Sequence, residues 1–367
     1  MNTQVSPQVP EEPKKKRNNF ISYLKGIAII FIMCIHLMDW SYRTFGQGML
    51  YFKEIAFTGV LFFVALAGTV VVIAYKSKPI GRVIKRLSKR FLEIVGIYFL
   101  YNLIKYFLFS FQVIDIAKQP FYHKYVEQGT FNLTGILTFQ SYTVPLTILV
   151  MIASFLLISP IFIYFDQKWK WGKFVNLGLA LIFIFIDFWV RPVFNNSTLK
   201  CVAYGWDCVL FANLLWLVPY VIGVFIAQIG FDKNKNLLTP IFGILTLIFG
   251  YLSFSQGRGF LISQYMYPLE LYYVFASFFA MFVFIRIFSF IEKIGASFTQ
   301  KFLEIIKFLG DDSMAVYIVH WITIDFTYLF LKPTRIIFTV PVVLTIYVIA
   351  NFNWEKIVKL LKFKGES

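Results

Sequence analysis

A lysine and a histidine stand eleven positions apart in the apolar stretch SYLKGIAIIFIMCIHLMDW, residues 22–40. At about 100° per residue, eleven steps make three turns plus about 20°, so on a helix Lys25 and His36 share one face with a rise of about 16 Å between them. Asp39 follows three residues later on that face, where its carboxylate can accept a hydrogen bond from one imidazole nitrogen and leave the other as a base. The chemistry such a stripe permits is anion binding at one end and proton transfer at the other. Two plainer readings stay open. Asp39 beside Trp40 also fits a marker of the outer membrane interface, and a deep histidine also fits a hydrogen bond to a neighbouring helix.

A second group of candidates lies in YKSKPIGRVIKRLSKRFLEI, which carries Lys76, Lys78, Arg82, Lys85, Arg86, Lys89 and Arg90. On a helix Arg82, Lys85, Arg86 and Lys89 fall on one face, an arrangement that can hold a phosphorylated ligand or anionic headgroups. A topology anchor accounts for such a run equally well. Its place after the second apolar segment lets it fold back near Lys25. The other ionisable groups within apolar segments are Glu93, Lys105, Asp187, Arg191, Glu270, Arg286, His320 and Asp325. Each costs a few kcal/mol at a helix centre unless paired, hydrated or near an interface. Lys105, Arg191, Arg286 and Asp325 lie close enough to segment ends to snorkel.

The elements that must position these groups follow from composition. Of the 367 residues 59% are hydrophobic and 20% aromatic, with a mean hydropathy of +0.70, far above a soluble domain. Apolar runs of roughly 20 residues recur along the chain, which requires helices rather than a barrel of short alternating strands. The expectation is an all-α polytopic integral membrane protein with about ten transmembrane helices, at 21–40, 55–75, 91–112, 143–165, 174–191, 210–230, 237–254, 268–291, 312–331 and 335–352. Residues 1–19, polar and proline-containing, read as a disordered cytoplasmic tail, and 20–367 as one transmembrane domain. No small-residue cleavage site follows the first apolar run, so it is not read as a signal peptide.

Placing the N-terminus inside puts 24 Lys and Arg residues in inner segments and nine in outer loops, which favours both termini in the cytoplasm. The net charge of +16 therefore follows topology; membrane lipids are the expected partners of the basic face, and nucleic acid is not expected. Cys34 reads as a small buried residue. Cys201 and Cys208 share one outer loop, where an oxidising compartment allows a disulfide. With no histidine nearby they make only half of a structural zinc site, so no metal is expected.

At several of these residues the chain resembles the membrane acyltransferase-3 family. YLKGIAIIFIMCIH is similar to that family's opening span, in which a basic residue precedes glycine and ten residues separate it from a histidine. FTGVLFFVALAGTVV is similar to its second span, KRLSKRFLEI to its Arg-x-x-Arg segment, and LGDDSMAVYIVHW to a late span ending in histidine. The matched order covers roughly the first 110 residues and 308–322. Lys25 stands where the pattern has arginine, and Lys89 takes the second position of Arg-x-x-Arg if Arg86 is the first; lysine keeps the charge but not the planar fork. The heparan-α-glucosaminide N-acetyltransferase group has a similar first span, and HLMDW resembles its histidine with an aspartate three residues on.

The resemblance implies an enzyme of the cell membrane, expected to be a bacterial cytoplasmic membrane. It would move an acyl group, acetyl first, from cytoplasmic acyl-CoA to a hydroxyl or amine of an extracytoplasmic or lipid-linked carbohydrate, as in O-acetylation of envelope polysaccharides. The donor's phosphates would lie at Lys25, Arg82, Arg86, Lys89 and Arg90, and the thioester near His36 and Asp39. Two rival readings are carried alongside it. One is a secondary transporter with a proton relay through Glu93, Asp187, Glu270, His320 and Asp325, although no repeat relates the two halves of the chain. The other is a non-catalytic partner of an envelope polysaccharide system. No nucleophile-elbow serine or phosphate-binding glycine loop is present, which argues against hydrolases and nucleotide-driven pumps.

The outer cysteines give a first test of topology. If Cys201 and Cys208 are joined, a membrane-impermeant thiol reagent labels neither from outside until a reductant is added. Labelling without reductant would show free thiols, and labelling from the cytoplasmic side alone would overturn the orientation.

Overall fold

The computed structural model describes residues 19–41, 47–113, 132–137, 144–194, 214–231, 233–265 and 269–330. Among these, all regular structure is helical. The helices are α1 (Asn19–Ser41), α2 (Gln47–Tyr75), α3 (Ile80–Ser110), α4 (Leu133–Leu137), α5 (Val144–Lys168), α6 (Gly172–Phe194), α7 (Leu214–Ile229), α8 (Lys235–Ser255), α9 (Leu271–Ile294), α10 (Ser297–Asp311) and α11 (Ser313–Phe330), with a 3₁₀ turn at Ile262–Tyr265. Stretches long and apolar enough to cross a membrane occur in six of them, α1, α2, α3, α5, α8 and α9, and shorter apolar stretches in α6, α7 and α11. These nine coincide with nine of the ten expected spans, and the fold is that of a polytopic all-α membrane protein. The expected span at 335–352, nearly all of the N-terminal tail, Cys201 and Cys208 lie outside the described residues, as does the side chain of Asp39 on α1.

Hydrogen bonds between helix ends gather the basic turns at one end of the bundle. Gln167 at the end of α5 donates to the carbonyls of Lys76 (2.9 Å) and Lys78 (2.8 Å) in the turn between α2 and α3. Lys235 at the start of α8 donates to Ser289 Oγ of α9 at 3.1 Å, and its Nζ lies 5.3 Å from the centre of the Phe20 ring on α1. Tyr23 of α1 donates to Glu292 Oε1 of α9 at 3.0 Å. Elsewhere on α2, Glu54 accepts from the backbone N–H and the hydroxyl of Ser263, each at 2.7 Å, so this buried carboxylate is satisfied.

The helices differ from the sequence reading in three places. The span expected to begin at 91 starts eleven residues earlier: from Arg82 on, the basic run forms the first turns of α3, because neither glycine nor proline interrupts 82–95. Lys105 does not snorkel but is 6% exposed, its ammonium 4.8 Å from the centre of the Tyr101 ring, which offsets part of the desolvation through the ring quadrupole. The third difference is α10, which the span count passed over because its apolar positions alternate with Lys301, Glu304 and Lys307. It is amphipathic, burying Leu303, Ile306, Leu309 and Gly310 and leaving Phe298, Phe302 and Ile305 exposed.

Helix α10 lies against α1 at backbone contact. A Cβ on Gly26 would collide with the carbonyl oxygen of Ile306, and a Cβ on Gly310 with the carbonyl oxygen of Ser22 and the amide of Gly26. Small residues allow this approach, as at other tight crossings in membranes. The Ser22 hydroxyl donates to Asp311 Oδ1 across the same crossing, and Lys307 pairs with Asp311 Oδ2 at 2.9 Å. The crossing predicts that Gly310→Val forces the two helices apart at a cost of about 1–3 kcal/mol, typical of overpacking. It should lower the thermal unfolding midpoint of the purified protein. Gly178→Ala, whose Cβ would meet open space, should not.

Candidate functional site

Helices α1, α2, α3, α5 and α11 enclose a cavity of about 590 Å³. Four cations line it: Lys25 from α1 and Arg86, Lys89 and Arg90 from α3. The sequence expectation that the basic run folds back beside Lys25 is therefore met in the structure. Burial of Val83 and Leu87 against α5 and α2 rolls α3 so that Arg86, Lys89 and Arg90 turn towards α1. Arg82 and Lys85 are exposed and do not line the cavity; each lies one turn nearer the start of α3 than a cation that does, Arg86 and Lys89.

One of these cations is fixed in place by its neighbours. Arg90 Nη1 donates to Glu93 Oε2 at 2.8 Å and Nη2 approaches Met314 Sδ of α11 at 3.3 Å. With side chains 48% and 40% exposed, the Arg90–Glu93 pair adds little stability. Its effect is positional, since it holds one guanidinium edge across the gap between α3 and α11. Glu93 itself lines the cavity, so the site carries four positive charges and one negative.

Beyond the cavity lies a pair of histidines. Tyr317 lines the cavity, and its ring centre is 5.1 Å from that of His320, at 71°. His320 stacks on His36 with centroids 5.9 Å apart and planes 22° from parallel. Trp321 packs its edge on His36 at 4.4 Å and lies 5.3 Å from His320. His320 is 2% exposed. Its Nδ1 is 3.4 Å from the carbonyl oxygen of Val316; a carbonyl only accepts, so this contact suits the tautomer with its hydrogen on Nδ1 and a lone pair on Nε2. Nε2 has no hydrogen-bond partner among the described residues.

The structure thus brings Lys25, Arg86, Lys89 and Arg90 together, and sets His36 apart from them beside a second histidine. His320 was legible as an intramembrane ionisable group but not as the neighbour of His36. A usable signal exists: Ser313, Tyr317 and His320 fall at i, i+4 and i+7, one face of a helix, by the same spacing test that relates Lys25 to His36. What the spacing could not give is the pairing of α1 with α11, nearly 300 positions later in the chain.

A family model described as an acyltransferase domain, that of the acyltransferase-3 family, matches residues 18–352. No curated protein and no solved structure matches the chain. The match runs from the first turn of α1 through every described helix, covering the segments whose likeness was read in the sequence and the intervening ones that contributed only span count. The chain belongs to the acyltransferase-3 family of membrane proteins and is an acyltransferase.

Proposed function

We propose that the protein takes an acyl group from acyl-CoA on the cytoplasmic side of a cell membrane and transfers it to a hydroxyl or amine of a carbohydrate on the far side. The observation that carries this reading is the sequence of groups met along one path: a cluster of four cations, an apolar cavity, Tyr317, and a pair of histidines. Phosphates suit the cations, which reach solvent on α3. A thioester at the far end of an extended arm suits the histidines, about 16 Å further along α1 than Lys25. The carbohydrate acceptor rests on the sequence resemblance.

In this reading an imidazole lone pair of His36 takes the proton of the acceptor hydroxyl as its oxygen attacks the thioester carbonyl carbon. The carbon–sulfur bond then breaks, and the imidazolium returns the proton to the leaving thiolate, so that free coenzyme A and the acyl ester form with no net proton change. His320 and Trp321 hold the His36 ring from two sides, which restricts its orientation. Asp39, three residues beyond His36, remains the proposed partner of the second imidazole nitrogen. Deep placement in the bundle excludes water, which would otherwise hydrolyse the thioester.

Two sets of variants test this. His36→Ala should lower turnover about 100-fold to 10,000-fold with acyl-CoA binding retained, and His320→Ala should lower kcat while leaving the donor KM near that of the parent. Wild-type turnover in His36→Ala would remove it from the mechanism. Independently, Lys25→Glu or Arg86→Glu should raise the donor KM about tenfold or more, because a carboxylate would face phosphate in a partly dry site, whereas Lys25→Arg should be mild. Unchanged donor affinity in both reversals would sink the phosphate site.

A further inference from the structure

The polar lining of the cavity comes mainly from one set of helices, although α3 and α11 also bring Leu87, Ile94 and Met314 to it, and its most apolar wall from another. Its ionic and hydroxyl-bearing lining comes from α1, α3 and α11, the last contributing Ser313 and Tyr317, with Tyr75 at the basic end of α2. The wall formed by α5 is wholly aliphatic: Ile148, Leu149, Ile152 and Leu156, at spacings that keep them on one face of the helix. Beside it, with Val71 and Leu156 in one buried cluster, α2 presents Ala67, Val70 and Val71. Apart from the Leu156 carbonyl, which Pro160 in α5 cannot serve as a donor, the backbone of both helices is occupied by its own hydrogen bonds, so this side of the cavity has little to offer a polar group.

The two sides suit different parts of one ligand. The pantetheine arm of coenzyme A carries two amides, and burying an amide without a partner is costly. Such an arm runs best along α11 and α3, where hydroxyls and charges lie. An acetyl group adds only a carbonyl and one methyl to that arm and leaves the aliphatic side of a cavity of about 590 Å³ without a matching occupant. Water is a poor filler for a wall with so few polar partners.

We propose that the α2–α5 side of the cavity is an acyl-chain chamber, and that the donor is an acyl-CoA whose chain extends several carbons beyond acetyl. The proposal rests on the reading that acyl-CoA binds with its phosphates at Lys25, Arg86, Lys89 and Arg90. Ala67 is the position to exploit, since its small side chain lines the chamber and a larger one would occupy it. Each methylene moved from water into the chamber should tighten binding about threefold to fourfold until the space is filled.

The test is displacement of radiolabelled coenzyme A from the purified full-length protein by acetyl-, butyryl-, hexanoyl- and octanoyl-CoA. The expected result is affinity rising from acetyl through hexanoyl, with that rise flattened in Ala67→Phe and, as a second variant should the first fold poorly, in Ile152→Phe. Arg86→Glu serves as a control for partition of long chains into detergent, because it should weaken all four donors together while partition would persist. Equal affinity for all four donors, or a rise that survives both Ala67→Phe and Ile152→Phe undiminished, overturns the chamber and leaves the phosphate site standing. Failure of every donor to displace coenzyme A, or absence of coenzyme A binding, overturns the reading of the cations as well.

Discussion

The backbone crossing of α1 and α10 is the contact on which the arrangement of the site depends. Gly26 and Gly310 admit each other's helix to a distance that no side chain permits, and Ser22 with Asp311 closes the crossing by a hydrogen bond. Lys25 is the residue before Gly26, so its direction is set by the same turn of helix. On the other strand of the crossing, Asp312 alone separates α10 from α11, which leaves α11 little freedom in where it starts. Ser313, Tyr317 and His320 are thereby placed at successive heights beside α1, and the histidine pair follows. One contact between glycines thus positions both the cation of α1 and the second histidine.

The cavity depends on a division of labour among helices that was only half visible beforehand. Helix α3 contributes charge on one face and Val83, Leu87, Ile94 and Val95 on the other, so its burial against α2 and α5 turns the arginines towards α1. Helix α2 is held on its opposite side by α7, where Gly68 and Gly223 meet the facing backbones and Thr69 donates to the Gly223 carbonyl at 3.0 Å. Packing of this kind between membrane helices relies on close backbones and a few hydrogen bonds rather than on hydrophobic expulsion. It gives α2 a fixed face to present to the cavity.

Much of this was legible in the sequence, for identifiable reasons. Span positions follow from the length of apolar runs, and the Lys25–His36 face from the helical repeat, both of which are local. The convergence of the basic run on Lys25 was legible because a four-residue turn, 76–79, leaves it no other place. The docking of α10 was not, since its apolar stripe reads as an interfacial loop until a partner surface is known, and Gly26 and Gly310 gain meaning only as a pair. Sharing a face with Arg86 did not bring Arg82 to the cavity: phase is local, whereas which turns of α3 reach the cavity is set by packing against other helices. His320 belonged to a list of costly residues without a partner until α1 and α11 were brought together.

The continuity of α3 ties the cations to the membrane itself. A helix of 31 residues, Ile80–Ser110, is about 46 Å long, well beyond the hydrocarbon thickness of a bilayer, which is about 30 Å. Such a rod must tilt or stand proud, and its tilt follows the thickness of the surrounding lipid. Because Arg86, Lys89 and Arg90 ride on the rod while Lys25 rides on the shorter α1 of 23 residues, a change of bilayer thickness shifts the three against the one. The lipid environment is in this way a dimension of the site, setting the spacing between charges that belong to different helices.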